Sequence, residues 1–109
     1  MSYKIVPTDN FIREVKRLAR KYPSIKSDLQ LLQQQLLDNP FTGIHLGKSV
    51  YKIRLAISSK GKGKAGGARV LTFVYIKSEQ VFLLCIYDKS ERSSIKDREI
   101  EDFLNNIPF

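Results

Sequence analysis

Polar and apolar residues alternate from Tyr51 to Ser58. Tyr51, Ile53, Leu55 and Ile57 fall on one side of an extended chain, and Lys52, Arg54, Ala56 and Ser58 on the other. That period of two is the mark of a half-buried strand. A second β-rich run, Arg69 to Ile76, follows it. Between them lies Lys60-Gly-Lys-Gly-Lys-Ala-Gly-Gly67, a stretch too flexible and too charged to pack. The pattern predicts a hairpin with a mobile cationic loop and one basic strand face.

The rest of the chain divides by period. Tyr3 to Val6 reads as a short strand stopped by Pro7, and Thr8, Asp9 or Asn10 can cap the helix that follows. Phe11, Val15, Leu18, Ala19 and Tyr22 form one helical face, with Arg13, Lys16, Arg17, Arg20 and Lys21 on the other. Pro23 ends that helix and Ser24 caps a second. Ile25, Leu29, Leu32 and Leu36 recur at helical spacing there, supported by Leu31 and Leu37, until Asn39-Pro40. So short a connection makes the two helices an antiparallel hairpin. Phe41 to Ser49 is expected to be a loop that turns at Gly43 and Gly47.

Lys77 to Gln80 reads as a tight turn. Val81 to Tyr87 is continuously apolar, as in a central strand covered on both faces. Asp88 to Arg92 reads as a polar connection. Ser93 or Ser94 caps a last helix with Asp97, Glu99 and Glu101 in its first turns and Ile100, Phe103, Leu104 and Ile107 as its apolar stripe; Pro108 ends it. The order β-α-α-β-β-β-α predicts an α+β fold, with a small, antiparallel-rich sheet packed against an N-terminal helical hairpin.

Charge sharpens this picture. The 19 basic and 11 acidic residues give a formal net charge of +8. No acid lies between Asn39 and Ser78, whereas Lys48, Lys52, Arg54, Lys60, Lys62, Lys64, Arg69 and Lys77 all do. The remaining chain is balanced, so the whole excess sits around the hairpin. Such a concentration of one sign suits a polyanionic partner.

The length of 109 residues suits one domain, residues 1–109, with a modest core. No stretch has the length of a membrane span, and the first residues lack the apolar region of a secretory signal. The lone Cys85 lies in an apolar run and forms no intrachain disulfide, which fits a reducing cytoplasm. One cysteine and one histidine argue against a zinc site, and no cofactor or metal is expected.

Candidate chemistry gathers at the same hairpin. With a single histidine, His45, there is no Ser-His-Asp pattern to defend, and His45 reads as a surface or packing residue. The glycine-rich loop lacks Walker spacing and leads into a strand, not a helix. Lys52 and Arg54 share a strand face. Arg69 stands at the mouth of the next strand, and Lys89 follows the third. Four cations converging there would grip a phosphodiester and stabilise the added charge of a pentacovalent transition state. Tyr87 offers a hydroxyl, a stacking surface for a base, or simply a packed strand end. Lys48, Lys60, Lys62, Lys64 and Lys77 are point charges suited to sequence-independent RNA phosphate contacts.

The segments YKIRL, GKAGGARVLTF and FLLCIYDKSERSS, in this order of elements, resemble the RelE/ParE superfamily of toxins from bacterial type II toxin-antitoxin systems. The nearest likeness is to the RelE/HigB-like branch. The resemblance implies a toxin that binds the ribosomal decoding site and cleaves mRNA there without metal, driving the ribose 2′-hydroxyl onto the adjacent phosphate. It implies that Lys52 and Arg54 are the basic strand pair, one acting as base or orienting the hydroxyl. Arg69 would stabilise the transition-state phosphate and Lys89 help the leaving oxygen. A lysine base needs a lowered pKa, which neighbouring cations would supply. The RelE branch also carries a tyrosine near Ile95 or Lys96, where this chain has none; Tyr87 lies earlier. The implied partners are a cognate antitoxin, mRNA and the ribosome, with no membrane. Two other readings stay open: a ParE-like DNA gyrase inhibitor, and a non-catalytic RNA- or antitoxin-binding member of the fold.

Overall fold

Thr8 starts the first helix and ties it to the sheet at once. Its hydroxyl accepts from the Phe11 amide at 3.3 Å and donates to the Leu83 carbonyl at 2.9 Å. The structure, a computed structural model, describes residues 2–107. Strand β1 (Lys4–Pro7) leads into α1 (Asp9–Lys21) and α2 (Ile25–Asp38). Then come β2 (Ile44–Gly47), β3 (Val50–Leu55), β4 (Ala68–Tyr75), β5 (Gln80–Asp88) and α3 (Asp97–Asn105). The five strands lie in the order β1-β5-β4-β3-β2, with β1 parallel to β5 and the other pairs antiparallel.

The helical hairpin covers one face. Phe11, Leu18, Tyr22, Ile25, Leu32 and Leu36 pack against Ile53, Leu55, Val70, Val81, Leu83 and Ile86. Strand β5 carries an apolar residue at every position from Val81 to Tyr87 because both of its faces are buried. It also holds an extra residue. Leu71 pairs with Cys85 and Thr72 with Leu83, so Leu84 is a β-bulge. The Leu84 carbonyl accepts from the Thr8 hydroxyl at 3.2 Å and the Asn10 amide at 3.0 Å. The start of α1 therefore satisfies the irregular stretch of the central strand.

Several sequence expectations change. Residues 41–49 are not all loop: Ile44–Gly47 forms an edge strand paired with β3. Its turn uses Lys48 and Ser49, both at positive φ, a geometry usually advertised by Asn-Gly. Leu31 and Leu37 are exposed and do not support the core. Ser24 does not cap α2 with its side chain; its hydroxyl donates to Asp28 at 2.8 Å. Neither Ser93 nor Ser94 caps α3, which begins after Lys96; the Glu99 carboxylate accepts from the Lys96 amide at 3.2 Å. Pro108, expected to end that helix, lies outside the described residues.

The second face of the sheet is not simply open. Ile95, Ile100, Phe103, Leu104 and Ile107 from α3 and its flanks cover Val50, Leu71, Phe82, Leu84 and Cys85. Lys48 at the β2–β3 turn forms an ion pair with Glu101 of α3. Burial pushes the Cys85 thiol up to about 12, so it stays protonated and inert.

Two buried carboxylates fasten the layers. Asp28 on α2 accepts from the Ser58 amide at 3.0 Å and the Ser58 hydroxyl at 2.6 Å. Asp88 ends β5, fully buried, and is not part of a polar connection. It accepts from Tyr22 Oη at 2.5 Å, Lys60 Nζ at 2.7 Å and Ser90 Oγ at 2.7 Å. Burial alone would raise its pKa. The Lys60 ammonium, the Tyr22 hydroxyl and Ser90 outweigh that and hold the carboxyl far below the ordinary range.

Two outcomes follow for stability. Leu18→Ala, at a site with no solvent exposure, should lower stability by about 2–5 kcal/mol in urea unfolding, whereas Leu31→Ala should change it by less than about 0.5 kcal/mol. Because Asp88 titrates lower folded than unfolded, its contribution is complete above the ordinary carboxylate pKa of about 3.9 and is lost as pH falls through the folded value. The thermal midpoint of wild type should therefore drop on acidification below about pH 4, and Asp88→Asn should flatten that dependence.

Candidate nucleic-acid interface

Register aligns the basic residues. Across β3 and β4, Arg54 stands opposite Arg69; across β4 and β5, Arg69 stands opposite Tyr87. Residues directly opposite in an antiparallel pair share a face, with Cβ atoms about 5 Å apart. Lys52, two residues from Arg54 on β3, faces the same way. Lys52, Arg54, Arg69 and Tyr87 thus form one patch on the face that α3 partly covers, opposite the helical hairpin.

The four are not equally open. Arg54 is exposed and Lys52 is half-buried. Arg69 retains only 5% of its surface. Its Nη1 donates to the Lys64 carbonyl at 3.0 Å and the Ala68 carbonyl at 3.1 Å, and its Nη2 to the Ala65 carbonyl at 3.3 Å. By donor count that leaves Nε–H and one Nη2–H for a ligand. Tyr87 is buried, and burial raises the pKa of its phenol against the opposing charges of Arg69 and Arg92. It is a neutral hydroxyl in a packed ring, not a free stacking surface.

Lys89 has its amide on the Gly67 carbonyl at 3.0 Å and its ammonium on the Ser93 carbonyl at 2.8 Å. It stands beside the second foot of the glycine-rich loop. Lys62 and Lys64 are exposed on that loop. Lys60 is not: its ammonium is turned inward to Asp88 and lies 5.6 Å from the Tyr22 ring centroid. The expectation of a loop too flexible and charged to pack fails at this end, because a buried carboxylate was there to receive the charge. Lys48 and Lys77 lie towards the opposite strand ends, Lys48 before the start of β3 and Lys77 after the end of β4. The fold does not bring them to the Arg69 row. His45 stacks on Tyr51 with centroids 4.9 Å apart, a packing role.

Arg92 escaped the sequence reading. Its guanidinium binds Glu99 with both Nη groups, at 3.1 and 2.7 Å, and lies 5.9 Å from the Tyr87 ring centroid. It joins the start of α3 to the patch. Its position within the YDKSERSS stretch was the available signal, but nothing local showed which ring it meets. Among the described residues no group of three or more His, Cys, Asp and Glu side chains could hold a metal ion, and no helix is long and apolar enough to cross a membrane.

Known proteins share this architecture. The chain is similar to a free-state double arginine-to-alanine mutant of the E. coli toxin RelE, with a TM-score of 0.64 and 15% identity over 99% of this chain and 100% of that one. It is also similar to the isolated E. coli RelE toxin, with a TM-score of 0.60 and 15% identity over 96% and 99% of the two chains. At that identity the likeness speaks for the fold. The family described as the RelE toxin of the RelE / RelB toxin-antitoxin system matches residues 4–106, nearly the whole chain. With that match across every element of the fold, the chain belongs to the RelE toxin family of toxin-antitoxin systems.

Proposed function

We propose that this toxin is a ribosome-dependent mRNA endonuclease that cleaves by 2′-hydroxyl attack. The observation that carries the reading is the cross-strand row Arg54, Arg69 and Tyr87, with Lys52 on the same face. Phosphodiester cleavage of this kind places an added negative charge on the non-bridging oxygens as the fifth bond forms. Fixed cations stabilise that charge without reorganising at the moment of reaction.

The roles are those that the family resemblance implies, and the shared face supports them. Arg69 meets the scissile phosphate with its remaining Nε–H and Nη2–H, a fork suited to two oxygens. Lys52 or Arg54 orients the attacking 2′-hydroxyl or takes its proton. The 2′-oxygen bonds to phosphorus, the bond to the 5′-oxygen breaks, and a proton reaches that leaving oxygen. Lys89 serves the leaving side. Tyr87, kept neutral by burial, donates a hydrogen bond. Lys62 and Lys64 hold neighbouring phosphates without reading sequence. A cognate antitoxin silences the toxin by covering or distorting this basic face.

Arg69→Ala should reduce cleavage in translating ribosomes by about 100-fold or more. Lys52→Ala, on a half-exposed site, should reduce it without moving the unfolding midpoint. Mapping mRNA 5′ ends against the reading frame after induction of the toxin alone measures both. Undiminished cleavage by Arg69→Ala would remove that residue from the mechanism. Inhibited gyrase supercoiling with intact mRNA would replace the reading with a ParE-like one.

A further inference from the structure

The glycine-rich loop is tied down at both feet by three consecutive residues, Asp88, Lys89 and Ser90. Its first foot, Lys60, is held by the Asp88 carboxylate at 2.7 Å and by the Ser90 hydroxyl at 3.1 Å. Its second foot, Gly67, is held through its carbonyl by the Lys89 amide at 3.0 Å. The loop between them turns through Gly61 and Gly63, both at positive φ. It returns against the end of β3, where a Cβ on Gly67 would lie 2.1 Å from the Leu55 carbonyl oxygen. From this tethered loop the Lys64 and Ala65 carbonyls reach the two Nη groups of Arg69.

A buried ion pair is a costly route to stability, and its best-attested use is to fix a register. Asp88 lies buried on the helix side of β5, against Tyr22, and so stands outside the row proposed to meet RNA. Its Oδ1 accepts from Lys60, from Ser90 Oγ and from the Ser90 amide at 3.0 Å; its Oδ2 accepts from Tyr22, with Lys21 Nζ at 3.8 Å. The Lys60 contact fixes where the loop begins relative to the end of β5, and the Tyr22 and Lys21 contacts tie the same carboxylate to the end of α1. Arg69 sits opposite Tyr87, one residue from that end of β5.

We propose that Asp88 is a positioning residue for Arg69: through Lys60 it anchors the glycine-rich loop, whose carbonyls hold the guanidinium so that its free edge meets the RNA phosphate. The inference rests on the RNA-cleavage reading above. It gives the loop a second task. Beyond carrying Lys62 and Lys64 to phosphates, its backbone orients an arginine on the adjoining strand.

A double-mutant cycle tests this. Asp88→Asn keeps the shape and some hydrogen bonds while removing the charge. It should lower the single-turnover cleavage rate about ten- to hundredfold, with ribosome affinity changed less than about twofold. In an Arg69→Ala background the same change should have no further effect. An equal loss in both backgrounds, or no loss in either, overturns the proposal. Should Asp88→Asn fail to fold, Lys60→Gln keeps a donor towards the carboxylate and should show the same non-additivity.

NMR of the arginine Nη groups supplies a readout that needs no activity. Wild type should give separate, slowly exchanging Arg69 Nη signals, merged in Asp88→Asn. Unchanged signals overturn the clamp. If wild type cleaves no RNA but the signals merge, the function reading fails and the clamp stands.

Discussion

Antiparallel pairing of β3, β4 and β5 is the constraint on which the molecule's chemistry depends. Side chains alternate along each strand, and pairing in register lines up like-facing positions across strands. Arg54, Arg69 and Tyr87 come from three separate stretches of chain, yet they fall in one row. Mutual repulsion of the two arginines is met from the loop side, where backbone carbonyls occupy part of the Arg69 fork. The apolar halves of the same strands bury the helical hairpin, so the force that folds the sheet also aims the cations.

The two faces handle charge differently. On the helix face, Asp88 and Lys60 are withdrawn from water and fully partnered, as a buried pair must be. On the other face, Lys52 and Arg54 remain reachable while α3 shields the apolar positions beside them. Lys52 and Arg54 thus keep their positive charge on the face away from the helical hairpin. The Arg92–Glu99 pair fastens α3 at the border of that side.

The fold was legible wherever periodicity ran long. The stripe from Phe11 to Tyr22, the alternation from Tyr51 to Ile57 and the apolar run in β5 each mapped onto an observed element. β2 was illegible because it is four residues long, ends in glycine and turns through Lys48-Ser49. At the site, the face shared by Lys52 and Arg54 was readable from their spacing, and that of Arg69 only from register across the hairpin. The inward turn of Lys60 was unreadable because its partner lies 28 residues away, on another strand. Arg92 was missed for the same reason: its meeting with Tyr87 is a tertiary fact. The tasks of Asp88 and Arg92 belong to contacts that composition and spacing do not encode.

The unpaired Leu84 in β5 does more than bend a strand. Phe82 and Leu84 point to one side, and the additional residue makes Cys85 point there too, after which the alternation resumes in opposite phase. Were the same residues paired in unbroken alternation, Tyr87 would sit among the helices and Asp88 would project among the arginines. A single unpaired residue therefore sets which way the end of β5 faces, acid inward and phenol outward. Loss of Leu84 alone would leave Leu83 and Cys85 in plain alternation and keep both facings, but would remove the carbonyl that receives Thr8 and Asn10.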